Sequence, residues 1–415
     1  AYIAEFEMTP MQAPAPRREA LYQLGQRLFS DPQLSGKNNI SCLDCHTPRY
    51  GSGDALPLGI GEGARGHGVN RRQLAGDVLL RNSPPLFNLG VEGVNHLFWD
   101  GRVSQDEAGH WLTPEPGLNG ATPTLATIAH TLDSLLAVQA LFPIADPVEM
   151  LGRGSMLSRE EAWKNVLTRL LTGSAAELYV RLFQAAFGPG PYNIGHVGNA
   201  LAEFQRHAFA SLDTPWDRYL KGELSILSDE MKRGALVFME KGQCANCHNG
   251  MHLSAFDFDA VGTPQLGVGD RDDTGRMAFT GAEEDRYMFR VSPLRNIAIT
   301  APYMHNGVFK DLWEVIEFYD RPEETLMNFV WRSVLTNYDT ALTIESDPVN
   351  LLARAAAMAE DLPRDVQFTE TEEAQLWCFL TVALTDLRFQ ARLQGVENEN
   401  ANCSPVLPRL RRLRR

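Results

Sequence analysis

The sequence contains no run of about 18 apolar residues, the length that a membrane-spanning helix needs. Positive charge is also scarce, because 38 Lys and Arg residues stand against 52 Asp and Glu residues and give a net charge of −14. These two deficits predict no membrane span and argue against general nucleic-acid binding. No cleavable signal peptide is visible, but a chain that begins at Ala1 without methionine is what a processed N-terminus would look like. The missing signal therefore does not indicate the cytoplasm.

Cysteine is rare, with six residues in 415, and four of the six fall into two copies of one short pattern. Residues 42–46 read CLDCH, and residues 244–248 read CANCH. The pattern C-x-x-C-H attaches c-type haem, because two thiols one helical turn apart add to the haem vinyl groups and the adjacent histidine binds the iron. The candidate haem-binding residues are Cys42, Cys45, His46, Cys244, Cys247 and His248.

Two other interpretations of this pattern are half of a zinc site and a redox-active dithiol. Zinc would need four N or S ligands of its own, and a disulfide oxidoreductase needs neither the trailing histidine nor a second copy. The two complete copies therefore predict two covalently bound c-type haems, whose attachment belongs to an oxidising, exported compartment. Two cysteines are left over: either Cys378 pairs with Cys403 as a C-terminal disulfide, or Cys378 is an ordinary buried thiol.

The two haem motifs follow similar segments, GQRLF ending at Phe29 and GALVF ending at Phe238, which indicates an internal repeat. We expect a mainly α fold with two haem lobes, residues 17–215 and residues 216–395, and a hinge at SLDTPWDRYLKGE. Twenty-four prolines and 34 glycines, many of them between residues 48 and 124, predict long ordered loops.

Apolar periodicity locates the helices along the chain. Ser228 is the expected N-cap of the helix that leads to the second haem motif. Between residues 257 and 288 we expect loop with short strands. Helices are predicted over residues 17–29, 125–141, 159–187 and 197–209, with a break at FPIADPVEM, and again from Asp311 and Glu372.

The haem motifs, together with RNSPPLFN, FWDGR, PVEM and SPLRNIAITAPYMHNG, resemble the bacterial di-haem cytochrome c peroxidase family, which includes the MauG-type enzymes. The similarity covers roughly residues 17 to 390. It implies one haem in each lobe: an N-terminal haem where peroxide reacts, with His46 as proximal ligand, and a C-terminal haem that passes or stores electrons, with His248 as proximal ligand. It also implies a tryptophan and a calcium ion between the haems.

The resemblance assigns further site residues one by one. Glu149 in PVEM matches the distal acid, which moves a proton between the peroxide oxygens; on its own it would be read as an exposed loop carboxylate. Gln139 and Pro143 stand ten and six residues before it, at the spacing of the other distal residues. Trp99 in FWDGR matches the electron-relaying tryptophan, although a core aromatic would look the same. The calcium ligands would be Asn82, Thr300 and Pro302, the last through its carbonyl.

The sequence departs from the classical peroxidases at two positions. Those enzymes carry a distal histidine after the first haem motif; here only His67 is near, in a glycine-rich insertion, and it is either a haem ligand or a loop histidine. The second departure concerns the methionine that binds the second haem fourteen residues after the histidine of PYxHxG. Counting from His305 gives Tyr319, which is the ligand type of the MauG-like enzymes.

Tyr319 also has a purely structural interpretation. With Leu312, Val315 and Ile316 it forms an apolar stripe at i, i+3, i+4 and i+7, which is typical of a helix face that packs into a core. Met304, inside the PYMHNG turn, is a rival ligand, and a haem without a second protein ligand is the third possibility.

These patterns predict an exported, periplasmic di-haem peroxidase that reacts with hydrogen peroxide and stores or relays oxidising equivalents through its second haem. The expected outcome is MauG-like oxidation of a partner protein. Two alternatives are a detoxifying cytochrome c peroxidase, which draws electrons from a small cytochrome or cupredoxin, and a non-catalytic electron-transfer cytochrome. The acidic surface would suit a small basic redox partner or a protein substrate. The resemblance also implies association into a homodimer, and the insertions at 51–76 and 104–130 are candidates for defining a different partner.

Overall fold

The computed structural model describes residues 1–389 and Cys403, apart from positions 75, 116, 117, 119–121, 270, 271 and 332–334. Helices and long loops dominate this part of the chain, which confirms the mainly α fold. The α-helices are α1 Tyr2–Glu5, α2 Glu19–Phe29, α3 Cys42–Cys45, α4 Pro123–Thr131, α5 Leu135–Ala145, α6 Arg159–Thr172, α7 Ala176–Phe187, α8 Ile194–Ala208, α9 Pro215–Leu220, α10 Asp229–Met239, α11 Met277–Thr280, α12 Leu312–Asp320, α13 Pro322–Asn328, α14 Pro348–Ala357 and α15 Glu370–Cys378. The strands are β1 His96–Leu97, β2 Val103–Gln105, β3 Trp111–Leu112, β4 Phe258–Asp259, β5 Leu266–Gly267, β6 Phe289–Arg290 and β7 Thr343–Ile344.

The chain forms two compact units. The N-terminal unit comprises Pro14–Ala210 and the short segment Ser333–Leu342. The C-terminal unit comprises Ala1–Ala13, Ser211–Arg332 and Thr343–Arg415. Each unit carries one C-x-x-C-H motif, so each is a candidate haem-binding body in its own right.

The same helix–helix contact occurs once in each unit and corresponds to the repeat in the sequence. In the N-terminal unit α2 packs on α8, and a Cβ placed on Gly25 would lie 1.9 Å from the carbonyl oxygen of Ala200. In the C-terminal unit α10 packs on α15, and a Cβ on Gly234 would lie 1.9 Å from the carbonyl oxygen of Gln375. Both helices therefore need glycine at the crossing point, and both lead into a haem motif.

The helix that carries Gln139 and Pro143 differs from the prediction. We expected a helix over residues 125–141 with a break at FPIADPVEM, whereas the structure ends α4 at Thr131 and continues α5 through Pro143 to Ala145. The early break arises because Ser134 caps a new helix, its hydroxyl accepting a hydrogen bond from the Ala137 amide. Pro143 is tolerated because it lies in the last turn, where few further helical hydrogen bonds are lost.

Other predicted helix boundaries are mostly close, and some elements were missed. The helix expected over 159–187 is interrupted at Gly173, which caps α6, and the helices α13 and α14 were not predicted. The antiparallel strands β1, β2 and β3 within residues 96–112 were also missed, because two-residue and three-residue strands give too short an alternation to recognise. The cap at Ser228 is confirmed, since its hydroxyl accepts from the Met231 amide at 3.2 Å.

The remaining pair of cysteines is joined. Cys378, at the end of α15, forms a disulfide with Cys403, which confirms the C-terminal pairing over the buried-thiol alternative. The other four cysteines, in the two haem motifs, are not in disulfides.

A segment from late in the chain, residues 335–342, lies on the glycine-rich loop of the N-terminal unit, and we call it the strap. The Tyr338 hydroxyl accepts from the Leu58 amide at 3.2 Å and donates to the Leu58 carbonyl at 2.7 Å. The Asn337 side-chain amide donates to the Val69 carbonyl at 2.8 Å, and the Asn337 carbonyl accepts from the Gln73 amide at 2.7 Å. The strap therefore holds residues 58–73, the loop that follows the first haem motif.

Replacing Tyr338 with phenylalanine is expected to release this loop. Both backbone groups of Leu58 would lose their buried partner, at a cost of about 1–3 kcal/mol in the free energy of unfolding. Hydrogen-exchange mass spectrometry should show faster exchange in peptides covering residues 51–76. Tyr192→Phe is the control, because its hydroxyl donates only to Gly188 and lies outside this loop. Equal exchange in wild type and the Tyr338 variant would show that the strap does not hold the loop.

Candidate haem sites

The first haem motif is built on a single helical turn. Ser41 caps α3, and its amide and hydroxyl both donate to the Asp44 carboxylate, at 2.7 and 2.8 Å. This capping box fixes the turn that presents the thiols of Cys42 and Cys45. His46 follows at the C-cap, and its Nδ1 lies 2.9 Å from the Ser52 carbonyl oxygen. A carbonyl only accepts, so Nδ1 carries the proton and Nε2 presents its lone pair.

The second haem motif repeats this arrangement in the C-terminal unit. Cys244–Asn246 is a short 3₁₀ turn, and His248 Nδ1 lies 3.1 Å from the Leu253 carbonyl oxygen. Burial lowers the pKa of His248 to about 4 and also lowers the pKa of His46. Both imidazoles are therefore neutral at pH 7 with Nε2 unprotonated, which is the form that binds a metal.

The four thiols fit a haem better than zinc or a redox dithiol. Burial raises the pKa of Cys42, Cys45 and Cys244 to about 12 and also raises the pKa of Cys247. Reactive dithiols instead have a lowered thiol pKa. Within the described residues, no group of three or more His, Cys, Asp or Glu side chains is arranged to hold a metal ion, so the structure offers no four-ligand zinc site there. Neutral, partly buried thiols beside a neutral histidine match what a haem needs.

Glu149 lies on a turn that Asp146 holds in place. One oxygen of the Asp146 carboxylate accepts from the backbone amides of Val148, at 2.8 Å, and Glu149, at 3.0 Å. The Glu149 carbonyl accepts from the Glu62 amide at 2.9 Å, which ties the turn to the loop after the first haem motif. Sequence reasoning placed Glu149 in a loop, and the structure adds that the loop is fixed from two sides.

The electrostatic environment of Glu149 brings the pKa of its carboxyl group close to neutral pH. Burial, followed by the Asp146 carboxylate, raises the pKa of Glu149 to about 7, while the guanidiniums of Arg102 and Arg159 oppose the rise. The Glu149 carboxylate in turn contributes to the raised pKa of Cys45 in the first haem motif. A carboxyl group with this pKa can take up and return a proton at neutral pH.

Gln139 and Pro143 lie on α5, four residues apart and therefore on one face. Between them in sequence, Phe142 packs edge-on against Phe98 at 5.6 Å between ring centroids. Arg159 lies over the Phe142 ring and Arg102 over the Phe98 ring, at 5.4 and 4.0 Å. The two arginines that act on Glu149 therefore flank this aromatic pair.

Sequence reasoning missed both arginines. Arg102 is part of the quoted FWDGR motif and could have been recognised there, whereas Arg159 is the first residue of α6 and gave no sequence signal.

Trp99 is held by the neighbouring RNSPPLFN motif. Its indole Nε1 donates to the backbone carbonyl of Asn82 at 2.9 Å, and the Asn82 side-chain amide donates to the Leu56 carbonyl at 2.6 Å. Asp100 accepts from Arg81 at 2.6 Å, a buried ion pair that joins the two motifs. The structure therefore brings together Trp99 and the candidate calcium ligand Asn82.

The other two candidate calcium ligands lie in the C-terminal unit. Thr300 is 9% exposed, and its hydroxyl donates to the Ile297 carbonyl at 3.0 Å, which leaves its own carbonyl as a hard oxygen ligand. Pro302 follows a cis peptide bond and offers only a carbonyl oxygen.

His67 contacts the first haem motif from the surface. Its Nδ1 lies 2.9 Å from the Asp44 carboxylate, and 65% of its side chain is exposed.

Tyr319 lies on α12 near the second haem motif. Burial, followed by the charges of Cys244, Cys247 and Asp259, raises its pKa, so the phenol is neutral unless a cation stabilises the anion. Leu312 and Ile316 of the predicted stripe are buried, which confirms the amphipathic helix. The same pKa shift has the thiols of Cys244 and Cys247 among its causes, which links Tyr319 to the second haem motif.

The alternative ligand Met304 lies in the PYMHNG turn. Its backbone has a φ of 71°, and the next residue, His305, is buried and stacks on Phe289 at 3.6 Å between ring centroids.

A close contact between the glycine-rich loop and the Glu149 turn gives a testable prediction. A Cβ on Gly61 would lie 1.7 Å from the Val148 carbonyl oxygen, so Gly61→Ala must displace the turn. We expect the rate of reaction with peroxide to fall roughly 10²-fold, as for a misplacement of about 1 Å. Gly53→Ala in the same loop is the control, because its Cβ would lie 3.3 Å from the nearest atom. Similar rates in the two variants, measured by stopped-flow absorbance, would contradict the positioning role of Gly61.

No helix in the described part of the chain is long and apolar enough to cross a membrane.

Comparisons with known proteins agree with this geometry. Residues 19–225 match the family described as di-haem cytochrome c peroxidase. Cytochrome c551 peroxidase of Pseudomonas aeruginosa is 32% identical over 304 residues, 72% of this chain and 70% of that protein. The methylamine utilization protein MauG of Methylorubrum extorquens is 30% identical over 315 residues, 75% of this chain and 72% of that protein.

A crystal structure of a MauG-like protein associated with microbial copper homeostasis has a TM-score of 0.63 and 26% identity, over 92% of this chain and 94% of that chain. The resemblance drawn from the sequence motifs is thereby confirmed. The chain belongs to the di-haem cytochrome c peroxidase family, and it is a haem-dependent oxidoreductase that acts on peroxide.

Proposed function

We propose that this enzyme reacts with hydrogen peroxide in the N-terminal unit and uses the oxidising equivalents to oxidise a partner protein, in the manner of MauG. The observation that carries the proposal is a tyrosine, Tyr319, fourteen residues after His305 on α12, whose pKa responds to the thiols of the second haem motif. An anionic oxygen ligand favours oxidised iron, whereas a thioether favours reduced iron. When bound, the two haems supply the iron that accepts and holds the oxidising equivalents of peroxide.

On the peroxide side, six residues have roles. Nε2 of His46 would hold the iron, and Cys42 and Cys45 would attach the haem covalently. The Glu149 carboxylate takes the proton of the inner peroxide oxygen and returns it to the outer oxygen, so that the outer oxygen leaves as water. Gln139 orients peroxide through its side-chain amide, and Pro143 closes the same helix face against water.

On the side of the second haem, Nε2 of His248 and the phenolate oxygen of Tyr319 would hold the iron, and Cys244 and Cys247 would attach the haem. Trp99, oriented by its hydrogen bond to the Asn82 carbonyl, would relay electrons between the two haems. One calcium ion, as the resemblance implies, would take Asn82, Thr300 and the carbonyl of Pro302 as ligands. We assign His67 to the loop, because its ring is occupied with Asp44 at the surface.

The protein would work in the periplasm. The disulfide between Cys378 and Cys403 and covalent haem attachment both need an oxidising compartment. The net charge of −14 suits a basic redox partner. Association into a homodimer, expected from the resemblance, is also part of this proposal.

Mixing the fully ferric holoenzyme with one equivalent of peroxide, without any electron donor, tests the proposal. We expect peroxide to be consumed at once. The second candidate function is a detoxifying cytochrome c peroxidase, which the similarity to cytochrome c551 peroxidase favours. A reaction that starts only after a small cytochrome or cupredoxin has reduced the second haem would support that candidate and contradict MauG-like use.

A further inference from the structure

Two tryptophans of the C-terminal unit form a stacked pair. Trp313, near the start of α12, and Trp377, near the end of α15, have ring centroids 5.4 Å apart and planes 8° from parallel. Because parallel rings in direct contact lie about 3.5–4 Å apart face to face, this separation means an offset stack. Both side chains are partly exposed. The pair is therefore reachable from solvent without opening the fold.

The two helices that carry the pair also build the second haem site. Trp313 precedes Tyr319 by six residues on α12, about 9 Å along the helix axis. Trp377 lies on α15, two residues after Gln375, whose carbonyl contacts Gly234 of the helix that leads into the second haem motif. The pair is thus connected to that site through α12 on one side and α15 on the other.

An offset indole stack is chemically suited to lose one electron. Indole is readily oxidised, and the positive charge left on one ring lies against the electron-rich face of the other, as in a cation–π contact. The other stacked tryptophan in this unit, Trp216 on Tyr219 at 5.6 Å between centroids, is only 1% exposed and cannot meet a partner.

We propose that the Trp313–Trp377 pair is the redox site at which a partner protein gives up its electrons. This inference rests on the proposed function and names the place where the partner is oxidised. Reduction of one peroxide to two waters takes two electrons and two protons. Each electron that passes inward leaves the pair as a radical cation, and one electron from the partner restores it, so a turnover oxidises the partner twice. The partner is a one-electron donor whose oxidisable group lies at the partner's own surface. Such a group can approach the Trp313–Trp377 pair directly, because both tryptophans are partly exposed.

The test treats ferric holoenzyme with excess peroxide and no donor, and then maps oxygen addition on tryptophan by peptide mass spectrometry. We expect Trp313 and Trp377 to be oxidised first. In Trp377→Phe, oxidation of Trp313 should fall roughly two- to threefold, because a phenyl ring offers the cation a weaker π-face than the indole that it replaces. Trp331→Phe is the matched control, a partly exposed tryptophan of the same unit for which this effect is not expected. Freeze-quench electron paramagnetic resonance should show a tryptophan radical that Trp377→Phe diminishes and Trp331→Phe leaves in place.

The outcomes separate this inference from the proposed function. If peroxide is consumed but oxygen addition is no greater at the pair than at Trp331, the pair is only a packing contact and the inference is wrong while the proposed function stands. If ferric enzyme does not consume peroxide at all, the proposed function fails and the inference fails with it. Should a variant not fold, the oxidation map of the wild-type protein still decides between these results.

Discussion

Glu149→Gln is expected to slow the reaction with peroxide by about 10²–10⁴-fold, the usual contribution of a positioned acid–base group. Glutamine keeps the size of the side chain but cannot take the proton of peroxide. The turn itself should survive, because Asp146 and Glu62 hold it through backbone groups of residues 148 and 149. Stopped-flow absorbance of the haem bands after mixing with peroxide measures the rate.

The dependence on pH gives a second readout of the same residue. Burial and Asp146 raise the pKa of Glu149 to about 7, and only the ionised carboxylate accepts a proton. The wild-type rate should therefore rise as pH increases through about 7, whereas the rate of Glu149→Gln should lose this step. Glu177→Gln is the control, since that carboxylate is exposed and pairs only with Arg181. A Glu149 variant with the wild-type rate and pH profile would exclude it as the distal acid.

Replacing Tyr319 with methionine is expected to raise the reduction potential of the second haem by a few tenths of a volt, within the range of about 0.8 V that axial ligands span. Loss of the anionic oxygen removes the stabilisation of oxidised iron. Tyr319→Phe should raise the potential as well, because no side-chain oxygen remains. Spectroelectrochemical titration of the holoenzyme measures both variants.

Tyr303→Phe is the control for removing a buried hydroxyl from this unit. That hydroxyl donates to the Ile297 carbonyl at 2.9 Å and has no proposed role at the iron. A potential that responds to Tyr303→Phe as strongly as to Tyr319→Phe would show that Tyr319 acts through packing and not as a ligand. The core-packing interpretation of the α12 stripe would then be sufficient.

The sequence was most informative where chemistry requires a fixed spacing. Cys42, Cys45 and His46 must stand within one turn, so the motif predicted a haem site without knowledge of the fold, and the structure places the two cysteines on one helical turn with His46 directly after it. The count of fourteen residues from His305 to Tyr319 located a side chain that the structure places near Cys244 and Cys247.

Contacts between residues far apart in the chain could not be read from periodicity. Tyr338 meets Leu58 across 280 residues, and a single hydroxyl carries no sequence pattern. The early end of α4 and the inclusion of Pro143 in α5 depended on which of several possible caps the tertiary structure uses. Arg159 lowers the pKa of Glu149 only because the fold brings the two side chains together. Nothing in the sequence marks this arginine, since the first residue of a helix is normally solvated.

The central claim is that both haems hold oxidising equivalents of one peroxide molecule, and Mössbauer spectroscopy of ⁵⁷Fe-labelled enzyme tests it most directly. Fully ferric protein is mixed with one equivalent of peroxide and frozen within milliseconds. We predict that both irons leave the ferric state together. If one or both irons remain ferric until the second haem has been reduced beforehand, the enzyme is a conventional peroxidase and the assignment of Tyr319 as a ligand is wrong.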